Sequence, residues 1–416
     1  MLTPGQIVAL TIDKPAAGGR MIARVEGRVV LVGGAIPGER VQARIERIGK
    51  GVAFAETVAV DESSADRRTP FTDPACGGCL YAHIAYPRQL EIKSQVIADA
   101  FARIGRVPLP SAVAVAASPE DGYRMRARLH MRDGRLGFFR EGTHDLCDPR
   151  STRQLLPASC DTLDRLSAAV RSPGSASIRE VELSENVEAT ERVVHLEASR
   201  PLEAGVINAI ASTEGLTPGP YVTDRLSLNG GAVTLRRHVL SFFQGNRHLL
   251  HNLVAHVVER VPIGGTVADL YAGAGLFAVS AAVLRGARVI AVEGDRLAAE
   301  DLHANAAMAG GQLTTAHQAV ENFAAWYPKV MNKMAGGPAI ETVIVDPPRT
   351  GMSREALDGL LSLDASRIVY ISCDVATLAR DAHRIVNAGY TIARADAFDL
   401  FPNTPHVETV VAFERA

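Results

Sequence analysis

The second half of the chain alternates between short apolar strands and longer amphipathic stretches, and this alternation constrains the fold more than any other feature. The strand-like runs between residues 241 and 416 are TVADLY (266–271), ARVIAVE (287–293), ETVIVD (341–346), RIVYIS (367–372), TIARADAF (391–398) and TVVAFE (409–414). Helical stretches lie between most of them, which predicts a doubly wound, Rossmann-like α/β sheet. The last two runs lie close together, so we expect a terminal antiparallel hairpin.

Polar residues and glycines follow these strands at the ends where such sheets bind ligands. The first strand leads from Asp269 to Gly273 and Gly275, which let the backbone approach a ligand closely. Glu293 ends the second strand, where it is placed to bind ribose hydroxyl groups, and Asp346 ends a later strand in an Asp-Pro-Pro-Arg run. The Gly-x-Gly pair alone is a weak signal, because an α/β domain with incidental glycines also contains it.

The combination of these strand ends is more specific than any one of them. An Asp-x-x-x-Gly-x-Gly turn, an acidic end to the second strand and an Asp-Pro-Pro loop together resemble S-adenosylmethionine-dependent methyltransferases. In that family the Asp/Asn-Pro-Pro loop lies beside the site of methyl transfer. The resemblance implies that the carboxyl edge of the sheet binds S-adenosylmethionine.

The length of 416 residues accommodates more than this one domain. Residues 1–60 hold short β-rich runs separated by Gly- and Pro-containing turns, and they predict a five-stranded, OB-like barrel. That barrel fits nucleic-acid binding and a generic adaptor role about equally. Residues 61–240 begin as a polar linker, continue with a helix over 86–106 and then become β-rich, and residues 241–416 form the α/β domain.

A stripe of arginines marks the β-rich middle region. Arg124, Arg126 and Arg128 alternate with apolar residues, and the Asp-Gly at 133–134 predicts a hairpin turn. Residues 122–140 carry six arginines and one aspartate, a local charge of +5, whereas the whole chain has a formal charge of −2. The stripe fits RNA phosphates, and it fits a solvated sheet face with arginines stacked on their neighbours equally well.

The composition and the N-terminus favour a cytoplasmic protein. Five cysteines in a chain of this length indicate a reducing compartment rather than a disulfide scaffold. The N-terminal residues lack the basic and apolar regions of a signal peptide. Segment 267–284 is apolar enough to mimic a membrane span, but Asp269 and two glycines favour a strand, a glycine loop and a helix.

Cys373 follows the RIVYIS strand and opens the next helix, so we expect it at the ligand-binding edge, where a helix N-terminus favours the thiolate. A lone cysteine is more often buried packing, but the neighbouring donor site favours a nucleophile. A thiolate that adds to C6 of uracil makes C5 nucleophilic towards a sulfonium methyl group. A general base must then remove the C5 proton, and Glu408, just before the last strand, is the candidate.

Several motifs resemble those of the RNA 5-methyluridine (uracil-C5) methyltransferase family: DLYAGAG, VDPPRTG, ISCDVATLARD and FPNTPHVETVV. Segment SFFQGN (241–246) resembles the family's Phe-x-Gln segment, and residues 1–60 resemble the TRAM domain, an RNA-binding barrel. Val375 departs from the family's usual proline. The resemblance implies a nucleophile, Cys373, a base, Glu408, and donor-binding residues, namely Gln244, Tyr271, Glu293 and Asp346.

The other four cysteines raise the question of a metal site. Cys76-Gly-Gly-Cys79 fits zinc, an iron–sulfur cluster or a redox pair. The family's ribosomal-RNA branch resembles this region and carries a [4Fe–4S] cluster on four cysteines, of which Cys76, Cys79 and Cys160 match here. The first position falls on Pro70, and Cys147 is an extra cysteine that could complete the set. A cluster on Cys76, Cys79, Cys147 and Cys160, an empty degenerate site and a zinc site all stay open.

These observations predict a monomeric enzyme that methylates C5 of a flipped-out uridine in structured RNA. The cysteine pattern and the barrel favour 23S ribosomal RNA over transfer RNA as the substrate. A non-catalytic RNA-binding or RNA-chaperone protein that keeps the fold is the alternative from another class. A methyltransferase for small molecules would leave the barrel and the arginine stripe without a role.

Overall fold

The N-terminal unit is a closed five-stranded barrel, in a computed structural model that describes residues 2–170, 177–310, 312–333 and 339–415. Its strands are β1 (Ile7–Pro15), β2 (Met21–Val25), β3 (Arg28–Gly33), β4 (Arg40–Ile48) and β5 (Val52–Glu62), in the order β1-β2-β3-β5-β4. In β4, Val41, Ala43 and Ile45 point into the barrel core while Arg40 and Arg44 face outward. The short β-rich runs that predicted an OB-like barrel therefore do form one, with their alternate apolar residues filling its core.

A long helix connects the barrel to the rest of the chain. Helix α1 (Tyr86–Ala100) starts with Pro87 in its first turn and continues into a π-helical turn at Phe101–Gly105. Its buried face includes two polar residues, Gln89 and Lys93. Polar groups on a buried helix face need partners. Lys93 pairs with Asp399, and Gln89 bonds to Asn403 as well as to two carbonyl groups just before the helix.

The middle region is built on an antiparallel sheet with helices packed on one face. Its elements are β6 (Val115–Ala116), β7 (Arg126–Arg132), β8 (Arg135–Phe139), β9 (Leu146–Cys147), α2 (Pro157–Ala169), β10 (Ile178–Glu185), β11 (Arg192–Ala198), α3 (Ala204–Ala211), β12 (Tyr221–Leu228) and β13 (Gly231–His238). Strands β11-β10-β7-β8-β9 form the sheet, and β12-β13 form a separate hairpin. Asp133 and Gly134 both have positive φ, as the predicted Asp-Gly hairpin turn requires.

The C-terminal region is the predicted doubly wound sheet. Its elements are α4 (Leu250–Val258), β14 (Thr266–Leu270), α5 (Leu276–Arg285), β15 (Arg288–Glu293), α6 (Arg296–Ala309), β16 (Leu313–His317), α7 (Val320–Lys333), β17 (Thr342–Val345), α8 (Arg354–Ser362), β18 (Arg367–Ser372), α9 (Val375–Asn387), β19 (Tyr390–Phe398) and β20 (Glu408–Arg415). The strand order is β16-β15-β14-β17-β18-β20-β19-β6, with hydrophobic cores on both faces.

Two details of this sheet differ from the sequence prediction. Strand β16 was not predicted, because its alternating Leu-Thr-Thr-Ala-His lies at the sheet edge and has little apolar character. The last two strands do pair antiparallel, but β20 inserts between β18 and β19 rather than extending the edge. The insertion matters for function because it brings the start of β20 next to the end of β18.

The apolar segment 267–284 is most of β14, the glycine loop and most of α5, as the sequence indicated. Among the described residues, no helix has both the length and the apolar character needed to cross a membrane.

Candidate active site

The site lies at the carboxyl edge of the parallel strands, where the registers bring distant residues together. Leu270 pairs with Val345 and Val345 with Tyr370, so Tyr271 and Asp346 leave adjacent strands side by side. The Gln244 side chain reaches this edge from the segment after β13, and its amide nitrogen donates a hydrogen bond of 3.0 Å to Asp346 Oδ2. The structure thus brings these three predicted donor-binding residues together at the carboxyl edge of the sheet.

The glycine loop connects β14 to α5. Gly275 has a φ of 93°, and a Cβ there would lie 2.8 Å from a methyl group of Leu302, so only glycine fits. Tyr271 also has a positive φ, 63°, which is rare for a bulky residue and is found mainly at functional sites. The Gly273 nitrogen donates a 2.7 Å hydrogen bond to Glu293 Oε2, which fixes the carboxylate at the end of β15 against the loop.

Beneath this loop lies a buried carboxyl group, that of Asp269. Asp269 is 1% exposed, and a hydrogen bond from the backbone of Ala278 favours its ionised form. Burial, followed by the charge of Asp346, raises its pKa well above the usual range. This raised pKa favours the neutral form of Asp269, so the negative charge that attracts a cationic ligand to this edge comes from the neighbouring Asp346 when it is ionised.

Cys373 and Glu408 meet because of the strand order. The last pair between β18 and β20 is Ser372 with Thr409, so the next residues outward are Cys373 and Glu408. Glu408 is 3% exposed, and its charge acts on the pKa of Cys373 together with those of Arg349 and Asp346. The predicted nucleophile and the predicted base therefore lie next to each other, at the ends of two neighbouring strands.

The protonation of these groups is set mainly by burial. Burial raises the pKa of the Cys373 thiol to about 11, Glu408 adds to this rise, and the Arg349 guanidinium beside the sulfur opposes it. The sequence predicted that the helix N-terminus would favour the thiolate; Cys373 lies one residue before Asp374, the N-cap of α9, and burial acts in the opposite direction. Burial and Asp346 raise the pKa of Glu408 well above its usual range, and burial raises that of Asp346 to about 7.

Sequence reasoning missed two residues of this cleft. Arg349 ends the Asp-Pro-Pro-Arg run and acts on both Cys373 and Glu408, so its position in the quoted motif was an available signal. His406 lies two residues before Glu408, and burial, with Arg349, lowers its pKa to about 4, so its imidazole is neutral near pH 7. No spacing in the sequence connects His406 to Arg349, and only the fold does.

The three arginines of the stripe differ in their exposure, and only Arg128 is largely exposed. Arg128 is 64% exposed and pairs with Glu182 at 2.5 Å across the β7–β10 ladder. Arg126 is largely enclosed, and burial with the neighbouring Arg237 lowers its pKa to about 10. Arg124 donates 2.5 and 2.8 Å hydrogen bonds to Gln154 and to the Arg126 carbonyl. The glutamates of β10 thus offset part of the local positive charge.

The cysteines do not assemble into the four-ligand site. Cys76 and Cys147 are joined by a disulfide, although the composition argued against disulfides. Cys79 packs beside them, fully buried, and burial raises its pKa to about 12. Cys160 belongs to a different core, under the middle sheet, with Leu163.

A metal cluster does not fit this arrangement. Thiols joined in a disulfide cannot act as thiolate ligands. Within the described parts of the chain, no three Cys, His, Asp or Glu side chains are grouped to hold a metal ion. The structure therefore does not support the [4Fe–4S] or zinc predictions.

Comparison with known proteins extends over the whole chain. The family described as tRNA (uracil-5-)-methyltransferase matches residues 184–416, and the TRAM domain matches residues 2–58. The chain is 34% identical to the 23S rRNA (uracil(1939)-C(5))-methyltransferase RlmD of Halomonas elongata, over 98% of this chain and 89% of that one. It is 32% identical to the RlmD protein of Acidithiobacillus ferrooxidans, over 99% and 98% of the two chains.

A solved structure shares the fold. The crystal structure of the Pyrococcus abyssi tRNA (uracil-54, C5)-methyltransferase, in complex with S-adenosyl-L-homocysteine, aligns with a TM-score of 0.75 at 24% identity. The alignment covers 97% of this chain and 99% of that one, so the barrel, middle sheet and α/β sheet are all shared.

Proposed function

The chain belongs to the tRNA (uracil-5-)-methyltransferase family, and from this premise we propose that it methylates C5 of a uridine in 23S ribosomal RNA, with S-adenosylmethionine as methyl donor. The observation that carries the proposal is the meeting of Cys373 and Glu408 at the edge of a carboxylate-lined cleft. The full-length similarity to two RlmD proteins supports ribosomal RNA as the substrate.

The acidic residues of this site match the positive charges of the methyl donor. S-adenosylmethionine carries a sulfonium and an α-ammonium group, and carboxylates stabilise both cations. Asp346 supplies negative charge there once the pH rises through about 7, and Glu293 is placed for the ribose hydroxyl groups. Gln244, Tyr271 and the two glycines of the loop, Gly273 and Gly275, complete the proposed donor-binding set.

In the proposed reaction, the Cys373 thiol gives up its proton to water as its sulfur adds to C6 of the uracil ring, and the C5=C6 electron pair moves onto the ring to form an enolate. Arg349 stabilises the developing thiolate, because its guanidinium lies beside the sulfur. The donor supplies an electrophilic methyl group, which C5 of the resulting enolate attacks.

Glu408 then acts as the base. In its carboxylate form it takes the C5 proton, the C6–sulfur bond breaks, and the thiolate of Cys373 leaves. The raised pKa of Glu408 makes its carboxylate a stronger base than an exposed glutamate would be.

The RNA surface is proposed to include the barrel and the arginine stripe. Arg124, Arg126 and Arg128 lie on the sheet next to the catalytic domain, since Arg124 bridges to Asn246, two residues after Gln244. Phosphate contacts there would fix the orientation of the RNA while the target uridine is flipped into the cleft. We also propose the division into residues 1–60, 61–240 and 241–416, and a monomeric, cytoplasmic enzyme.

The experiment that tests the function is a map of 5-methyluridine in ribosomal and transfer RNA from cells with and without the gene. Loss of one site in 23S ribosomal RNA, restored by purified protein and labelled donor, is the expected result. Loss of a transfer-RNA site would favour the alternative substrate that the Pyrococcus fold and the family description suggest. No methyluridine formation by folded, donor-binding protein would favour a non-catalytic RNA-binding protein.

A further inference from the structure

Residues 399–407, which we call the catalytic loop, connect β19 to Glu408 and carry His406. At its centre, Asn403 adopts a left-handed backbone conformation, with a φ of 64°, and is 3% exposed. Asparagine tolerates this conformation better than most residues, but a buried left-handed residue still needs support from its surroundings. The support comes from the opposite end of the chain.

The polar groups of Asn403 are held by residues more than 300 positions earlier. The Gln89 amide donates to Asn403 Oδ1 at 3.0 Å and accepts from the Asn403 nitrogen at 2.9 Å. Arg68 donates to the same Oδ1 at 2.7 Å, and the Tyr81 nitrogen donates to the Asn403 carbonyl at 2.8 Å. The side-chain oxygen, backbone nitrogen and carbonyl of Asn403 are therefore all engaged.

Two further contacts hold the loop on either side of Asn403. At its start, Lys93 forms a fully buried ion pair of 2.5 Å with Asp399 and also donates to the Phe401 carbonyl. Towards its end, Gly19 of the barrel approaches Pro405 so closely that a Cβ on the glycine would lie 3.0 Å from the proline ring. Helix α1 and the barrel therefore shape a loop that belongs to the α/β sheet.

We propose that Asn403, held by Gln89 and Arg68, is a positioning residue that sets Glu408 for removal of the C5 proton. This inference rests on the proposed function. Glu408 is the first residue of β20, so its side-chain position depends on the path by which the loop enters the strand. Displacement of a catalytic group by about 1 Å can slow a reaction on the order of 100-fold.

The test compares Asn403→Gly, Gln89→Met and Asn403→Asp in the full-length protein. Asn403→Gly permits the positive φ but loses the amide contacts, and Gln89→Met keeps the size of the side chain but removes its hydrogen bonds. We expect both to lower kcat on the order of 10- to 100-fold, with little change in donor and RNA affinity. Asn403→Asp keeps the acceptor oxygen for Arg68 and should stay within about threefold of the parent.

The decisive readout is a covalent protein–RNA adduct on denaturing gels, because a badly placed base slows elimination after methyl transfer. Glu408→Gln is the positive control for that adduct. Tyr390→Phe is the stability control, since it removes a buried hydrogen bond to the Ala365 carbonyl at the far end of β19. Asn403→Gly and Gln89→Met should accumulate adduct, and Tyr390→Phe should not.

Three outcomes overturn the proposal. Full turnover by Asn403→Gly and Gln89→Met shows that the contacts are not needed. Lost activity without adduct, while Glu408→Gln accumulates it, shows a general loss of structure. Absence of adduct in Glu408→Gln itself contradicts the base assignment, and the positioning role is lost with it.

Discussion

At the residue scale, the candidate nucleophile Cys373 has the predicted position, but burial keeps its thiol from ionising readily. Cys373 lies at the edge that the sequence indicated, but its pKa of about 11 keeps the thiol protonated near pH 7. The Arg349 guanidinium lowers the pKa of this thiol, and burial outweighs that effect. Thiolate formation must therefore be coupled to the attack on the uracil ring.

Replacement of Cys373 tests the covalent step. Cys373→Ala should bind donor and RNA but lose turnover by roughly 1,000-fold or more, because the ring is no longer activated. Filter binding and single-turnover methyl transfer measure the two properties. Cys160→Ala is the matched control, since Cys160 is buried in another core and should keep activity. Retained turnover in Cys373→Ala would rule out the covalent mechanism.

Replacement of Glu408 separates addition from elimination. Glu408→Gln should allow addition and methyl transfer and then stall, because the amide cannot accept the C5 proton. A stable protein–RNA adduct on denaturing gels, with the methyl label in it, is the expected result. If no adduct forms, Glu408 is not the base that precedes elimination.

Asp346 should make donor binding depend on pH. Its pKa of about 7 means that the carboxylate forms as the pH rises through 7, so affinity for a cationic donor should rise in the same direction. Between pH 6 and pH 8 the ionised fraction, and with it the affinity, should increase about tenfold. Isothermal titration calorimetry of the parent and Asp346→Asn measures this.

The Asn variant controls for the donor's own titration, which both proteins experience equally. The dependence on pH should be much weaker in Asp346→Asn, and binding should be weak throughout. An equal pH dependence in both proteins would show that Asp346 does not control donor binding.

At the element scale, the strand ladder decides how much charge the arginine stripe presents. The pairing of β7 with β10 places Glu182 opposite Arg128 and Glu180 opposite His130. The alternation of β7 predicted which residues share a face, but the sequence could not show which strand would pair with it. The solvated-face interpretation thus fits Arg128 better than it fits Arg124.

The two arginines should therefore differ in their contribution to RNA binding. Arg124→Gln should reduce the log–log salt slope of RNA affinity by about 0.7 to 0.9, the value for one phosphate contact. Arg128→Gln should change it less, because Glu182 already neutralises that guanidinium. Equal changes, or none, in salt titrations of the two variants would contradict this assignment.

The C-terminal end of α1 shows how packing against another helix fixes the residue at which a helix stops. The sequence predicted a stop at Gly105, and the helical path does end there, with Arg106 in the left-handed conformation. Gly105 is needed for a different reason, since a Cβ would lie 2.8 Å from the Ala379 carbonyl of α9. The glycine was visible in the sequence, but its contact was not.

At the scale of the whole molecule, buried polar contacts hold the regions together. Glu185 of the middle sheet accepts hydrogen bonds from Arg192 and from Arg247, which follows the Gln244 segment. Arg237 and Asp224 form a second fully buried pair. Removing one partner of such a pair leaves a buried charge and costs several kcal/mol, so these pairs couple the middle sheet tightly to the segment that carries Gln244.

The Cys76–Cys147 disulfide joins the linker to β9 across a sequence separation of 71 residues. Denatured protein should therefore show three free thiols before reduction and five after it. Closure of a loop of this length stabilises a protein by roughly 2–4 kcal/mol. Denaturant unfolding with and without reductant should show this loss, and Cys147→Ser should be insensitive to reductant.

Five free thiols in unreduced, denatured protein would contradict the disulfide. Iron and acid-labile sulfide in an anaerobic preparation would show that these cysteines serve as ligands instead.

The sequence by itself determined the fold class, the barrel, the Asp-Gly hairpin and the residues at the strand ends. These follow from local periodicity, turn chemistry and the rule that parallel strands end at one edge. The donor-binding and catalytic roles of those residues stay predictions for the experiments above.

The tertiary structure alone decided the rest. It inserted β20 beside β18 and so brought Glu408 to Cys373, it paired Cys76 with Cys147, and it placed Gln89 against Asn403. Burial in the folded protein also raises the pKa of Cys373, whereas the helix N-terminus was expected to lower it. The physical reason is that burial and long-range pairing depend on which surfaces meet, and no local pattern records the partner.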